Sequence, residues 1–124
     1  MYKLVVKSQF SAAHFLRDYE GSCEKLHGHN WKVELTVKGK KLNSIGLLLD
    51  FKVLKKILSE VLKELDHRLI NDHPEFLEKN PSSEHLAEFI FNKVKERLKE
   101  FENVEVCQVA VYETENSCAI YSED

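Results

Sequence analysis

The stretch HGHNWKVELTV, residues 27–37, alternates between two kinds of side chain and decides the fold of this half of the chain. Its odd positions are apolar or aromatic: His27, His29, Trp31, Val33, Leu35 and Val37. Its even positions are glycine or polar residues. A period of two is typical of a β-strand with one buried face and one exposed face. We therefore predict a strand over residues 27–37, which Gly39 and the stretch 43–46 bring to an end.

A second strand is predicted upstream of this one. From Lys3 to about Leu16 the even positions include a set of apolar residues that ends on a histidine: Leu4, Val6, Phe10, Ala12 and His14. The same period-two argument applies to this segment. If the two strands form a hairpin-like pair, His14 and the histidines at 27 and 29 meet at one end of the sheet.

Two amphipathic helices are predicted in the middle of the chain. Asp50 has the side chain of a helix N-cap, and apolar residues recur at helical spacing from Phe51 to Leu65. Ser82 or Ser83 caps the second helix, whose apolar stripe runs from Leu86 to Phe101. Two further strands, over residues 104–113 and 118–121, close the chain.

The predicted order is ββααββ, which indicates an α+β fold with a four-stranded antiparallel sheet and two helices on one of its faces. We expect residues 1–124 to form a single domain. The third strand carries apolar residues on both faces: Cys107, Val109 and Val111 on one, and Val106, Ala110 and Tyr112 on the other. Helices on one face leave the other uncovered, so we expect a homo-oligomer. The alternative is that the second face is semi-polar and needs no cover.

The composition excludes some classes of function. The net charge of −3, with both signs interspersed, gives no electrostatic footprint for nucleic acid. No apolar run approaches the length of a membrane span, and the N-terminal residues alternate rather than forming the apolar block of a signal peptide. We therefore expect a cytoplasmic protein that binds neither nucleic acid nor membrane. Three cysteines at irregular spacing are a poor disulfide framework.

The histidines of the quoted stretch indicate a metal site. His27 and His29 are two residues apart on a strand, so both imidazoles leave the same face. Two neutral imidazoles at the end of an apolar stripe need partners for their nitrogens, and Zn²⁺ would supply one. His14 is the best third ligand, because a catalytic zinc takes three protein ligands and keeps one position open. The alternative is an incidental His-x-His pair with His14 as a hydrogen-bonded core residue.

Cys23 lies four residues before His27, close enough to border such a site. As a fourth ligand it would make the zinc site closed and structural. Standing off the metal, it would instead be a thiolate base or nucleophile. Both roles remain open at this point.

Six segments, taken in order, resemble one family of enzymes. They are SAAHFL at 11–16, CEKLHGHN at 23–30, DFKVLK at 50–55, LDHRLIND at 65–72, PSSEHLA at 81–87 and YETENS at 112–117. Together they are similar, over essentially the whole chain, to the 6-pyruvoyl-tetrahydropterin synthase and 6-carboxy-tetrahydropterin synthase family. The resemblance implies a tunnelling fold, in which three subunits close a barrel and two trimers stack as a homohexamer.

The resemblance also implies roles for single residues. The zinc ligands would be His14, His27 and His29. Cys23 would be the catalytic thiolate, with Asp66 and His67 as its proton-relay partners. Related enzymes build the site where subunits meet, so the Asp66–His67 pair would serve either its own Cys23 or that of a neighbouring subunit.

For the substrate ring, the resemblance implies that Glu113 anchors the pterin through its 2-amino group and ring N–H. The residues implied around the same ring are Ser82, Ser83, Glu84 and Thr114. Helix capping explains the serines and Glu84 equally well and is compatible with this role. The family often has Thr where this chain has Ser82, a change that keeps the hydroxyl.

The implied substrate is 7,8-dihydroneopterin triphosphate. The C-x3-H-G-H spacing resembles the enzymes of queuosine biosynthesis, which form 6-carboxy-5,6,7,8-tetrahydropterin with loss of triphosphate and acetaldehyde. Glu24 leaves another product open, because C-E-x-x-H-G-H also resembles members that make 6-hydroxymethyl-dihydropterin for folate. There the glutamate assists an aldolase-like cleavage, whereas the alternative for Glu24 is a solvent-facing loop residue. Formation of 6-pyruvoyl-tetrahydropterin and a non-catalytic, zinc-stabilised pterin- or nucleotide-binding module are further alternatives.

Overall fold

In a computed structural model that describes residues 1–124, two helices cover one face of a single antiparallel sheet. The strands are β1 (Tyr2–His14), β2 (His27–Gly39), β3 (Glu105–Thr114) and β4 (Ser117–Tyr121). The helices are α1 (Phe51–Leu62) and α2 (Ser83–Arg97). The strand order in the sheet is β1-β2-β3-β4, and each neighbouring pair is antiparallel. The predicted ββααββ order and α+β class are confirmed.

The pairing of β1 with β2 sets the position of the histidines. Phe10 lies opposite Trp31, and their rings stack at 5.8 Å between centroids. Continuing this register places His14 opposite His27 at the last pair of the ladder. β1 ends at His14, two residues earlier than predicted, because the backbone of Phe15 bonds to the side chain of Asn71 instead of to β2.

The two helices begin at side-chain caps. Asp50 accepts a hydrogen bond from the backbone N–H of Lys52 at 2.8 Å, and Ser82 accepts one from His85 at 3.2 Å. Ser82, rather than Ser83, is therefore the cap of α2. α1 packs on β1, and α2 packs on β3 and β4. The apolar sides of both helices and of the sheet form one core cluster of 27 buried residues.

One expectation for β3 is wrong. Leu35 pairs with Val109, but the next residue on the same face, Val37, pairs with Val106. Cys107 is thus the extra residue of a β-bulge, and the bulge turns Val106 towards the helices, where it belongs to the core. Ala110 remains opposite Glu34 on the uncovered face.

The uncovered face of the sheet is consequently more polar than the sequence indicated. It carries a groove of about 700 Å³ lined mostly by polar side chains: Lys7, Ser8, Gln9, Lys32, Val33, Glu34, Tyr112 and Glu115. Lysines and glutamates occur together in this groove, so it has no dominant sign of charge. Of the two expectations for the second face, the semi-polar one describes this part of the sheet better than the apolar one.

β2 runs two residues beyond its predicted end because Gly39 continues the ladder opposite Tyr2. A Cβ at Gly39 would collide with the backbone oxygen of Asn103 and the side chain of Leu48. Glycine is thus required here by a close approach of the chain, not by a turn. Neither helix is both long and apolar enough to cross a membrane.

Candidate metal centre and its surroundings

Four side chains converge where β1 ends and β2 begins: His14, His27, His29 and Glu113. One potential ligand atom from each of them lies within 4.8 Å of all the others. β1 and β2 contribute the histidines through the pairing described above, and β3 contributes the glutamate near its C-terminal end. The structure thus brings together the three histidines of the sequence hypothesis and adds a carboxylate to them.

The hydrogen bonds of His14 and His27 fix the state of their rings. Nδ1 of His14 lies 2.8 Å from the carbonyl oxygen of Pro81, and Nδ1 of His27 lies 2.8 Å from that of Lys25. A carbonyl oxygen only accepts, so both Nδ1 atoms carry the proton. Each Nε2 of a neutral ring then presents a lone pair, yet the two Nε2 atoms are only 3.1 Å apart. Two lone pairs at this distance require a proton or a metal ion between them.

His29 adds a third nitrogen to this group. Its Nε2 is buried and makes no hydrogen bond. It does lie 3.0 Å from Oε1 of Glu113, so the contact has the length of a hydrogen bond without its geometry. A buried polar atom without a partner costs roughly 1–3 kcal/mol. The three nitrogens and the carboxylate therefore suit a bound cation, and Zn²⁺ is among the ions that prefer imidazole.

Burial keeps His14 in its neutral form. Its side chain is 2% exposed and lies edge-on against Trp31, with 4.8 Å between ring centroids. This burial lowers the pKa of His14 below its ordinary value of 6.5, against the hydrogen bond to Pro81. Charge on His27 would lower the pKa further, whereas Glu113 would raise it. A neutral imidazole is the form that binds a metal ion.

Glu113 faces the histidines with one oxygen and α2 with the other. Its Oε1 lies 3.0 Å from His29 Nε2, 3.7 Å from His14 Nε2 and 3.9 Å from His27 Nε2. Its Oε2 accepts a hydrogen bond of 3.3 Å from the hydroxyl of Ser83. The sequence reasoning assigned Glu113 to the pterin ring and missed its place beside the metal ligands, since nothing local to YETENS relates it to residues 14–29.

The other residues expected around the pterin are more scattered. Ser82 is occupied as the cap of α2, and Glu84 is exposed in the first turn of that helix. Thr114 is exposed at the last position of β3, and its hydroxyl accepts from the backbone N–H of Asn116 at 3.3 Å. Within this chain, only Ser83 of that set donates a hydrogen bond to the carboxylate of Glu113.

Cys23 and Glu24 differ sharply in their surroundings. Cys23 is exposed and is not among the four converging residues. Glu24 is half-buried and is tied to Leu16 twice: its N–H donates to the carbonyl of Leu16 at 2.8 Å, and its Oε1 accepts from the N–H of Leu16 at 3.2 Å. The same Oε1 is 3.9 Å from Nδ1 of His27. Glu24 is thus held against a candidate ligand rather than facing solvent.

Two asparagines that the sequence reasoning missed hold the chain just after His14. Asn71 pairs with Phe15 through bonds of 3.0 and 2.9 Å, and Asn80 pairs with Arg17 through bonds of 2.8 and 3.0 Å. In both pairs the side-chain amide accepts from the backbone N–H and donates to the backbone carbonyl. We call Asn71 and Asn80 the asparagine clamps. The only local sequence signals for these clamps are an asparagine before Pro81 and an asparagine in LIND, residues 69–72. Asparagine at such positions is equally typical of turns.

The Asp66–His67 pair lies along the outer edge of β1. Asp66 Oδ1 accepts from the N–H of Ser11 at 2.9 Å, and the N–H of His67 donates to the Ser11 carbonyl at 2.6 Å. His67 Nδ1 lies 2.9 Å from Asp66 Oδ2, while 81% of the His67 side chain is exposed. The Ser11 hydrogen bond, with help from His67, lowers the pKa of Asp66. The pair is not part of the four-residue group and faces outwards.

Known proteins resemble this chain over nearly its whole length. The family model described as 6-pyruvoyl tetrahydropterin synthase matches residues 3–124. A 6-carboxy-5,6,7,8-tetrahydropterin synthase of Bacillus subtilis is 38% identical, over 97% of this chain and 84% of the relative. A dihydroneopterin monophosphate aldolase of Pyrococcus furiosus is 34% identical over 77% of each chain.

Solved structures share the fold as well. The 6-pyruvoyl tetrahydropterin synthase of Caenorhabditis elegans superposes with a TM-score of 0.84, covering 99% of this chain and 96% of the other at 24% identity. This likeness shows that the predicted tunnelling-fold subunit is correct. The family model matches nearly all of the chain, and this match shows more than a shared fold. The protein belongs to the 6-pyruvoyl tetrahydropterin synthase family, a family of enzymes.

Proposed function

We infer that the protein is a zinc-dependent lyase that converts 7,8-dihydroneopterin triphosphate into 6-carboxy-5,6,7,8-tetrahydropterin, triphosphate and acetaldehyde. The observation that carries this proposal is the group of three imidazoles whose Nε2 atoms turn towards one another, one of them buried without a partner. The name of the Bacillus subtilis relative favours the carboxy product. The C-x3-H-G-H spacing, residues 23–29, favours it too.

The metal would be held by His14, His27 and His29, with Pro81 and Lys25 orienting two of the rings through their carbonyls. Bound Zn²⁺ supplies Lewis acidity, which makes the protons next to the substrate's side-chain hydroxyls easier to remove. The reaction needs no external oxidant or reductant, because the ring gains the two hydrogens that the side chain loses. One water provides the oxygen that completes the carboxyl group.

The proton transfers would belong to the loop and edge residues. Cys23, as a thiolate, would take a proton from the substrate side chain, and His67 would return one with its ring oriented by Asp66. Glu113 would hold the pterin by accepting hydrogen bonds from the 2-amino group and the adjacent ring N–H, with Ser83 close to the same ring. Only the periphery of the bound substrate would contact the three remaining residues of the set, Ser82, Glu84 and Thr114.

Two subunits would be needed to complete such a site. His67 lies in the loop that runs along the edge strand β1, with its ring exposed, and Cys23 is exposed on its own loop. Neither belongs to the four-residue group of its own chain. We therefore assign the pair Asp66–His67 to the Cys23 of a neighbour, in a homohexamer built from two trimers. A single domain over residues 1–124 and a cytoplasmic location remain predictions from the sequence.

A second candidate reaction is favoured by the position of Glu24. Its carboxylate is fastened to Leu16 and lies 3.9 Å from His27, beside the candidate ligands. From there it would act as the base of an aldolase-type cleavage that yields 6-hydroxymethyl-dihydropterin. The aldolase name of the Pyrococcus furiosus relative is consistent with this chemistry within the family.

The test is product analysis after incubation of the zinc-loaded protein with 7,8-dihydroneopterin triphosphate. We expect acetaldehyde and 6-carboxy-tetrahydropterin from the wild type and from Glu24→Ala. Hydroxymethyl-dihydropterin that disappears in Glu24→Ala would instead establish the aldolase reaction. Cys23→Ala should retain zinc and bind the pterin but lose turnover. If the wild-type protein binds zinc and pterin but forms no product, the non-catalytic binding module is the alternative that remains.

A further inference from the structure

Oε1 of Glu113 lies beside the three histidines, within reach of a metal ion that they would hold. It faces the Nε2 atoms of all three histidines, at 3.0 Å from His29, 3.7 Å from His14 and 3.9 Å from His27. In a tetrahedron with bonds of 2.0–2.1 Å to the metal, the ligand atoms are about 3.3 Å apart. The three distances from Oε1 are distributed around this value. The separation of 3.1 Å between Nε2 of His14 and Nε2 of His27 is close to it as well.

The rest of the Glu113 side chain is held so that this oxygen stays in place. Oε2 accepts from the hydroxyl of Ser83 at 3.3 Å, so α2 holds one end of the carboxylate while the other points at the histidines. The side chain is 36% exposed, and it can therefore be approached from solvent. None of the three histidines is as exposed as Glu113.

The role of pterin anchor and the role of metal ligand make conflicting demands on this carboxylate. Gripping the 2-amino group and the ring N–H of a pterin takes both oxygens, one for each donor. An oxygen directed at the three histidines is not available for that grip. Glu113 therefore serves one of the two partners at a time.

We propose that Glu113 is a coordination switch: at rest it is the fourth ligand of the metal held by His14, His27 and His29, and the pterin ring draws it away. This rests on the proposed function, in which Glu113 binds the pterin. The exchange transfers no proton and breaks no covalent bond, because the carboxylate gives up one metal contact and accepts hydrogen bonds from the ring in its place. The open metal position thus exists only when a substrate ring is in the site, and the resting protein is closed to other ligands.

The switch predicts a specific coupling between two ligands. A ring that competes for Glu113 weakens the binding of the metal, and by reciprocity the metal weakens the binding of the ring by the same factor. The suitable probe is pterin itself, 2-amino-4-oxopteridine, because it has the donor edge of the substrate but lacks the side-chain hydroxyls that would contact the metal.

The experiment measures the Zn²⁺ affinity of the metal-free protein by competition with a chromophoric chelator, with and without saturating pterin. For the wild type we expect pterin to weaken Zn²⁺ binding about tenfold or more, the scale on which loss of a supporting group affects metal sites. Glu113→Gln should bind Zn²⁺ more weakly by a similar factor, and pterin should not weaken it further. Glu115→Gln is the matched control, since Glu115 is 83% exposed and lies outside the group.

The proposal is overturned if Glu113→Gln binds Zn²⁺ as tightly as the wild type, or if pterin leaves the Zn²⁺ affinity of the wild type unchanged. Should Glu113→Gln fail to fold, the visible spectrum of the Co²⁺-loaded wild type decides: bands that shift on addition of pterin support the switch, and an unaltered spectrum refutes it. Coupling without conversion of dihydroneopterin triphosphate would refute only the proposed function. Conversion without coupling would refute only the switch.

Discussion

His14 and His27 each use one ring nitrogen to donate to a backbone carbonyl, that of Pro81 and that of Lys25. This leaves the other nitrogen of each ring directed at its neighbour, and His29 adds a nitrogen with no partner at all. A protein without a cation at this point would hold two lone pairs in close contact and a buried nitrogen without a hydrogen bond. Metal binding should therefore contribute to the stability of the folded chain.

The first prediction concerns that contribution. A ligand present at 100 times its dissociation constant stabilises the folded state by about 2.7 kcal/mol. We expect zinc to raise the melting temperature of the wild type and to leave that of His29→Gln almost unchanged, because the variant has only two imidazoles left. Calorimetry with zinc and with a chelator measures both effects. His67→Gln is the control, since the His67 ring is exposed and lies outside the group; equal zinc shifts in His29→Gln and the wild type would contradict the prediction.

The second prediction concerns Asp66, whose pKa is lowered from its ordinary value of 3.8 by the Ser11 N–H and by His67. A lowered pKa in the folded state means that the ionised carboxylate stabilises the fold. This stabilisation is fully present above pH 3.8 and is lost as the pH falls through the lowered pKa. Asp66→Asn keeps an oxygen for Ser11 but carries no charge, so it should be less stable than the wild type at neutral pH.

Urea unfolding of the two proteins across the acid range measures this difference. The gap in unfolding free energy should be constant above the ordinary pKa of Asp66 and should narrow below it. A gap that stays the same down to the acid limit would mean that the carboxylate charge has no part in holding the loop to β1.

Among the elements, the strands and helices follow from local patterns, whereas their irregularities do not. The period of two in residues 27–37 and the cap at Asp50 depend on neighbouring residues only, and both were predicted. The cap of α2 was predicted only as Ser82 or Ser83, because two adjacent serines give the same local signal. The bulge at Cys107 was not, because it leaves no mark on an apolar run that reads equally well in either register. It moved Val106 from the uncovered face to the core.

The same distinction holds for the candidate site. A hairpin-like pairing of two predicted strands was enough to bring His14 opposite His27. Glu113 comes from a strand far along the chain, and its position depends on the whole sheet order. The tie between Glu24 and Leu16 and the asparagine clamps are contacts between loops, for which a single sequence carries no periodic signal.

The third prediction concerns the element that carries Cys23 and Glu24. The clamp residue Asn80 makes two hydrogen bonds to the backbone of Arg17, near the start of that loop. Each such bond contributes roughly 0.5–1.5 kcal/mol. Asn80→Ala should therefore open the loop several-fold more often and speed cleavage by trypsin after Arg17 and Lys25, with zinc affinity retained.

Limited proteolysis with mass identification of the fragments checks this. Asn92→Ala is the matched control, because Asn92 is exposed on α2 and makes no contact with the loop. Cleavage of Asn80→Ala at the wild-type rate would show that the loop is held without the clamp.

For the whole molecule, the decisive feature is where the parts of the proposed site lie on the subunit. β1 is an edge strand, and the loop with Asp66 and His67 runs along its free side through bonds to Ser11 and Ala13. The polar, uncovered face of the sheet has no helix packed against it. Both features are those expected of a subunit that joins others side by side with its helices outside.

The last prediction tests whether His67 acts on a neighbour's Cys23. Cys23→Ala and His67→Ala should each be inactive alone, because each lacks one of the two proton-transfer groups. When the two variants are co-expressed and assemble at random, a site shared between subunits receives an intact Cys23 from one variant and an intact His67 from the other in about a quarter of cases. Hetero-oligomers purified through two different tags should thus regain about a quarter of wild-type turnover. A site built within one subunit would never combine the two intact residues, so mixed oligomers of normal size and zinc content that remain inactive would exclude the shared site.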